Sequence, residues 1–376
     1  MRKLVTTRTV DKLIPIPKAD RIEIALIGGW SCIVKKGEFS EGDQGIFFEI
    51  DSWIPETDSR FSFLGSTKDY LGNQGWRIRT MKMRGVISQG LLLPLASFPE
   101  LNLSNESHED ALGVLKWEQQ TGDDSRLGIK TSTKVPKFPS FIPKTDQERI
   151  QNLMHYFNTH KEMQFEETLK LDGSSMTCYK IDKEFTLLQR LANNFALHFR
   201  IKPFFKGEHF GVCSRNLELK STANYETTYD NDGKTSTHSQ GNFWRTALKY
   251  GIHTALPVGF AIQGELIGPS IQGNHEKVEE LEYHIYDVFA IKLGRYLTPE
   301  ERVAFCKVTL AGVPHVPIIG TSKVFSDVNS FDELQARVTG ESINPKTVSE
   351  GRVYKSICGT TTFKAVSNQY LLKGGN

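Results

Sequence analysis

Thr168-Leu169-Lys170-Leu171-Asp172-Gly173-Ser174-Ser175 is the stretch on which the reading of this chain turns. A lysine stands two residues before an Asp-Gly pair, between the apolar Leu169 and Leu171. An exposed lysine has a pKa of about 10.4 and is an unreactive ammonium at neutral pH. Desolvation or a nearby cation, including a bound metal, lowers that value and frees the lone pair for attack. Residues two apart in a strand share a face. Asp172 would then lie beside Lys170, to orient it or to help hold a hydrated metal. Taken by itself the stretch also reads as a strand running into a turn, with an exposed lysine and Asp-Gly punctuation. Motifs this short recur by chance, so the rest of the chain has to decide.

The chain has 376 residues, room for two domains with separate cores. Hydrophobic residues make up 38% and charged ones 24%, the composition of a soluble globular protein. The net charge of +2 excludes a global polycation, so any nucleic-acid contact must come from local patches. Cys32, Cys178, Cys213, Cys306 and Cys358 lie far apart without a C-x-x-C pair. That spacing argues against a disulfide framework or structural zinc and fits a reducing compartment. Neither a charged-then-apolar leader nor a run of 18 apolar residues is present, so an intracellular, soluble protein is expected.

Ahead of the lysine, residues 1–99 hold short runs rich in β-branched and aromatic residues at 23–27, 31–34 and 45–50, punctuated by Gly28-Gly29, Lys36-Gly37 and Gly42. Further strands are expected at 76–83 and 90–94. Five or so strands at this spacing predict a small closed or partly open barrel. Arg77, Arg79, Lys82 and Arg84 are the four cations of residues 70–99, a stretch with no acidic residue. Strand alternation would put Arg77 and Arg79 on one face, as a phosphate-tracking surface or as a solvated barrel face. Residues 100–145 read as a linker, acidic at first and then carrying Pro136, Pro139 and Pro143.

Residues 146–376 read as a larger domain of strands and helices. Thr145-Asp146 can cap a helix to about Thr159, with Ile150, Leu153, Met154 and Phe157 as its apolar stripe. Arg149 lies off the centre of that stripe, placed for a phosphate, a carboxylate or a surface ion pair. Strands are expected at 179–181 and 185–188. Between Arg190 and Lys220 basic residues alternate with Phe195, Phe199, Phe204, Phe205 and Phe210, and Arg215 falls at a strand end. Residues 221–239 read as a loop, and Asn242 as the cap of a helix to Tyr250. Residues 258–262 form a strand candidate leading into Gln263-Gly264-Glu265, where a carboxylate could reach a ribose hydroxyl or a lysine. A second strand is expected over 283–291, with Tyr286 and Phe289 as base-stacking or core aromatics. Thr298-Pro299-Glu300-Glu301 and Ser330-Phe331-Asp332-Glu333 carry helix-capping patterns. Glu350–Lys355 and Thr362–Ser367 close the chain as charged, β-rich runs.

In order, Lys170-Leu-Asp-Gly, Ser214-Arg215-Asn216, Gly264-Glu265-Leu-Ile-Gly, Tyr286-Asp-Val-Phe289, Glu350-Gly-Arg-Val353-Tyr-Lys355 and Phe363-Lys364 resemble the motif series of the covalent nucleotidyltransferases, the polynucleotide ligases and capping enzymes. Over nearly its whole length the chain resembles the RNA ligase 5 family, of Deinococcus and Naegleria type. The resemblance implies an α+β fold: an N-terminal OB-type β-barrel, then a nucleotidyltransferase domain with antiparallel sheets and flanking helices. It implies an ATP-dependent RNA ligase acting through lysyl-AMP and RNA-adenylate, with Mg2+ or Mn2+, on RNA ends such as those of a nicked duplex or an RNA/DNA hybrid, as a monomer. Lys170 would attack ATP, with Asp172 and Lys364 in the catalytic set. Glu265 would contact the ribose, Phe289 and Val353 would sandwich the adenine, and Thr168 and Leu169 would lie against the nucleotide. Arg149, Arg215, Lys355 and Lys364 would face it as cations. Glu350, with Asp172, would bind a metal through water. Many ligases carry Lys-x-Lys in the last motif, where this chain has Thr362, Lys364 and Val366. DNA ligases and capping enzymes place their OB domain after that motif, where only 12 residues follow Lys364. A non-catalytic nucleic-acid-binding protein on a ligase scaffold would be expected to lack Lys170, Glu265 or Glu350, and all three are here.

Overall fold

Glycine turns between β-branched runs make the front of the chain a series of antiparallel strands. The computed structural model describes residues 2–118, 137–182, 207–220 and 241–373, together with Leu188, Leu191 and Phe195. In the front domain Gln44–Phe48 runs between Val5–Thr9 and Leu91–Pro94. Lys12–Pro15, Ile22–Ile27 and Trp30–Lys35 form a meander. Ser52–Pro55 and Asn73–Arg77 pair at the centre of a third sheet, flanked by Leu115–Lys116 and Lys68–Tyr70. Met81–Met83 and Val86–Ser88 make a two-stranded ribbon. Strand alternation divides Gln44–Phe48 between two clusters. Ile46 and Phe48 pack with Val5, Ile54, Phe61 and Phe98, while Phe47 packs with Trp30, Cys32 and Leu92.

Two expectations change here. The single strand over 76–83 is broken: Asn73–Arg77 and Met81–Met83 belong to different sheets. Arg77 turns to Asp51, while Arg79 beyond the strand end is exposed, so the two do not share a strand face. Residues 101–117 are not a free connector. Leu101, Leu112 and Val114 are buried in the front core, and Leu115–Lys116 pairs with Trp53 and Ser52.

The second domain has two antiparallel sheets. The larger runs Glu218–Leu219, Glu208–Cys213, Ser174–Asp182, Phe260–Ile267, Glu282–Ala290, Arg295–Tyr296. The smaller runs Ile318–Ser322, Phe165–Lys170, Gly351–Ser356, Thr362–Val366. Helices Asn242–Lys249 and Pro299–Thr309 cover the larger sheet, burying Phe243, Trp244, Ala247, Cys306 and Leu310 against Met176, Val212 and Ile262. Helix Phe331–Val338 buries Leu334 and Val338 with Phe165, Tyr354 and Phe363 behind the smaller sheet. Thr298 forms the full capping box with Glu301. Ser330 accepts from Glu333 N, but the Glu333 carboxylate accepts from Asn329 N instead of closing on Ser330. Asn242 is the first helical residue, with Gly241 as the cap.

The helix expected over 145–159 is absent. Ile150–Asn152 is a single 3-10 turn and Tyr156–Thr159 a short helix. Ahead of them the backbone is extended, because Lys364 N donates to Glu148 O and Arg149 bridges Lys364 in parallel. The apolar stripe is nonetheless real, since Ile150 and Phe157 are buried in the second core. Of the strand expected at 185–188 only Leu188 is described, and it is helical. Arg190, Phe199, Phe204, Phe205 and the loop at 221–239 lie outside the described residues.

Asn152 fastens the domains together. Its Oδ1 accepts from Arg8 Nη2 at 2.9 Å and Trp30 Nε1 at 2.8 Å. Its Nδ2 donates to Glu49 Oε1 at 2.6 Å and Glu148 Oε1 at 2.8 Å.

Candidate active site

The chain passes from the smaller sheet to the larger one through Leu171, Asp172 and Gly173. A Cβ at Gly173 would come within 2.3 Å of Leu266 O, so this crossing requires a bare backbone. A cleft of about 440 Å3 opens at the crossing, lined by both domains. Phe165 through Leu169 are buried, and Lys170, the last residue of that strand, reaches the cleft with a quarter of its side chain exposed. Lys170 pairs in register with Gly351, which brings the preceding Glu350 alongside. Lys170 Nζ lies 2.7 Å from Glu350 Oε2.

Burial disfavours the Lys170 ammonium, but Glu350, then Glu265 and Asp172, outweigh it and hold the pKa above the usual lysine value. Burial, with Glu350 and Asp172 adding repulsion, pushes Glu265 up to about 8 against the pull of Lys170. Burial and then Glu350 push Asp172 up to about 7, against a bond from Tyr370 and the charges of Lys170 and His275. Three carboxylates crowd one ammonium, and the donor set is all oxygen. That is the chemistry of a hard divalent cation. Among the described residues no group of three His, Cys, Asp or Glu side chains is placed to grip a metal directly. Glu350 and Asp172 offer carboxylate oxygens that fit such an ion. Glu265 stands within its strand, opposite His284, and not at a strand end.

The other wall is cationic. Arg149 is 5% exposed, and its Nε and Nη1 have no hydrogen-bond partner. Burial and the neighbouring Arg2 lower its pKa to about 10. Burial lowers Lys364 to about 7; Asp146 opposes this, while Arg149, Arg2 and Lys170 add to it. Asp146 is ringed by Lys116 at 2.7 Å, Arg215 at 3.4 Å and Lys364 at 3.5 Å. Burial opposes its charge, but these cations win and hold Asp146 well below the usual carboxylate range. Arg215 stands just past the end of Glu208–Cys213, as expected, and also bonds Glu118 at 2.8 Å.

Thr168, Leu169, Val353 and Tyr286 complete the lining, and Phe289 is not part of it. Phe289 is buried among Ile142, Tyr179, Cys213 and Ala261. The strand bulges at Tyr286. Gln263 pairs with Asp287 and Gly264 with Ile285, so Tyr286 is the extra residue and its side chain is re-aimed. Thr145 and Ser175 hydroxyls lie 2.9 Å and 3.1 Å from the Tyr286 hydroxyl. Lys355 lines the cleft, but its Nζ donates to Asp287 Oδ1 at 2.6 Å and Tyr286 O at 2.5 Å. That ammonium is thereby tied to the bulge.

Sequence reasoning missed Arg2, Asp51, Lys116 and Trp117, which the front domain brings to the same cleft. No local pattern marks them, because only domain docking brings them there.

A model of an OB-fold domain matches residues 4–95, and the RNA ligase model matches residues 163–367. A lysine presented beside carboxylates and opposite buried cations, on paired antiparallel sheets, is the architecture of a nucleotidyl-transferring ligase. The chain belongs to the RNA ligase family. More particularly, its full two-domain length is similar to Naegleria gruberi RNA ligase. A structure of that enzyme's lysine-to-methionine variant with AMP and Mn is 36% identical, covers 100% of each chain and gives a TM-score of 0.79. Its structure with pyrophosphate is also 36% identical, covers 99% of this chain and 98% of that one, and gives 0.78. A variant with ATP and Mn gives 36% identity, 98% coverage of each chain and 0.78. None of the curated protein sequences matches the chain.

Proposed function

We propose that this ATP-dependent RNA ligase joins an RNA 3′-OH to a 5′-phosphate at a nick in a duplex, with Lys170 as the nucleophile. The observation that carries the reading is Lys170 itself, delivered by a buried strand to a cleft with carboxylates on one side and cations on the other, Arg149 among them with two unpartnered donors. Neutral Lys170 Nζ attacks the α-phosphorus of ATP; the N–P bond forms and pyrophosphate leaves. An oxygen of the RNA 5′-phosphate then attacks the AMP phosphorus, breaking the N–P bond and returning the pair to Lys170. The 3′-OH finally attacks the 5′-phosphate, loses its proton and displaces AMP.

Arg149, Arg215 and Lys364 receive the phosphates, where buried guanidinium donors gain most from an anion. Tyr286 and Val353 flank the base, Thr168 and Leu169 shape its edge, and Glu265 takes the ribose. Mg2+ or Mn2+, held through water by Glu350 and Asp172, would supply the positive charge that relieves the carboxylate crowding around Lys170. Arg79, Lys82 and Arg84 are exposed on and beside the front-domain ribbon, which supports contact with a duplex backbone. No helix among the described residues is long and apolar enough to cross a membrane. ATP and 5′-phosphorylated RNA place the enzyme inside the cell, and it acts as a monomer on nicked RNA or RNA/DNA hybrid.

Incubation with α-labelled ATP and Mn2+ should leave label on the denatured protein, lost in acid and kept in alkali. Lys170→Ala should abolish it, and an adduct surviving that change rules Lys170 out as nucleophile. Sealing of a nicked duplex should exceed that of single strands; the reverse order removes the nick from the reading.

A further inference from the structure

Asp51 lies in the turn between Gln44–Phe48 and Ser52–Pro55, with φ +73°, a left-handed conformation that side chains other than glycine rarely adopt. The backbone holds it there from both sides: its N donates to Ile78 O at 2.8 Å and its O accepts from Trp117 N at 2.8 Å. The carboxylate so presented meets three guanidiniums. Arg77 Nη2 is 2.8 Å away, Arg2 Nη1 3.4 Å and Arg149 Nη2 3.6 Å. Arg2 has other anchors in Glu49 Oε2 at 2.7 Å and Ile50 O at 2.7 Å. Arg77 also stacks on Trp117, its guanidinium carbon 3.4 Å from the ring centre. Arg149 is different. Among the described residues Asp51 is the one carboxylate within 4 Å of it, and Nε and Nη1 are left without a partner.

A guanidinium is a flat fork with five donors. Asp51 stands 3.6 Å from Nη2, an ion-pair distance and not a hydrogen bond, so its charge draws one end of the fork while Nε and Nη1 keep their donors free. We infer that Asp51, on the front domain, is a positioning residue that aims Arg149 at a phosphate of the nucleotide. The inference rests on the nucleotide role proposed above for Arg149. The carboxylate paired with the arginine comes from outside the ligase domain.

The test uses the full chain and single-turnover formation of the labelled enzyme adduct over a range of ATP concentrations. Asp51→Asn removes the charge and tolerates the left-handed turn. Asp51→Gly removes the charge and suits the turn better than aspartate does. Both should raise the ATP concentration for half-maximal adduct by about tenfold, with the maximal rate far less affected. The Asp51→Asn/Arg149→Ala double variant should be no worse than Arg149→Ala alone, because the aspartate acts through the arginine. Wild-type ATP dependence in Asp51→Gly, or additive losses in the double variant, overturns the inference and makes the residue a structural one. Arg149→Ala with unimpaired adduct formation removes the nucleotide role of Arg149, and the inference falls with it. Impaired Arg149→Ala beside unimpaired Asp51→Asn and Asp51→Gly sinks the inference and leaves the nucleotide role standing.

Discussion

Lys364→Met should make the nucleotide-free protein more stable while disabling it as a ligase. Burial, helped by Arg149, Arg2 and Lys170, takes Lys364 from the ordinary 10.5 to about 7. In the unfolded chain the lysine keeps its ordinary value, so the folded state is penalised for holding a proton that the unfolded state holds freely. A shift of this size at about 1.4 kcal/mol per unit sets a ceiling of about 4–5 kcal/mol. Asp146 argues the other way, since Lys364 is one of the cations that hold its carboxylate ionised. Asp146 keeps Lys116 at 2.7 Å and Arg215 at 3.4 Å after the change, so the lysine penalty outweighs that loss. Allowing for the lost ion pair, a net gain of about 2 kcal/mol is expected near neutral pH. That corresponds to a melting temperature roughly 4–8 °C higher. The sign with pH is fixed by linkage. The penalty is complete below pH 7, where both states are protonated, and fades as pH rises toward 10.5. The gap between variant and wild type should be widest near pH 6 and narrow by pH 9.5, read by thermal melts without nucleotide. Adduct formation should fall by at least tenfold, from lost phosphate contact. A variant that melts at or below wild type at pH 6, or a gap that stays constant to pH 9.5, refutes the reasoning.

Tyr286→Ala should raise the ATP requirement for adduct formation by about tenfold and leave the melting temperature nearly unchanged. Phe289→Ala should instead destabilise by about 3–5 kcal/mol, as a buried ring in the sheet core, with the ATP requirement of the folded fraction unaltered; exchanged outcomes would restore Phe289 as the stacking residue. Gly351 has φ +149°, and a Cβ there would meet Ala365 O at 2.2 Å. Gly351→Ala should therefore pry Thr362–Val366 from its neighbour, cost about 2 kcal/mol or more and misplace Glu350 beside Lys170. Normal melting together with normal adduct formation would contradict that account.

The sequence carried what is local. The Lys170 strand and its Asp-Gly exit, the Thr298 box and the strands around Glu23, Ser31 and Phe289 all rest on spacing and turn chemistry, and the structure places them there. What rests on distant pairing was out of reach. The stripe at Ile150, Leu153, Met154 and Phe157 has helical spacing, yet pairing of Glu148 and Arg149 with Lys364 holds the preceding residues extended. Tyr286 lines the cleft and Phe289 does not, and nothing in Tyr-Asp-Val-Phe announces it. Arg2, Asp51 and Lys116 are ordinary surface letters until two domains dock.

The Asn152 amide has a consequence for how faults in this protein would show themselves. Both of its protons and its oxygen's two acceptor positions are taken, by four groups spread across two domains. Aspartate cannot donate two of those bonds, and leucine makes none of them. The same residue closes the 3-10 turn that Arg149 enters, with Asn152 N bonded to Arg149 O at 3.0 Å. Docking error and displacement of Arg149 are thereby one event. A lesion in the border between the domains would be noticed first as a poor enzyme, long before it was noticed as a loose one.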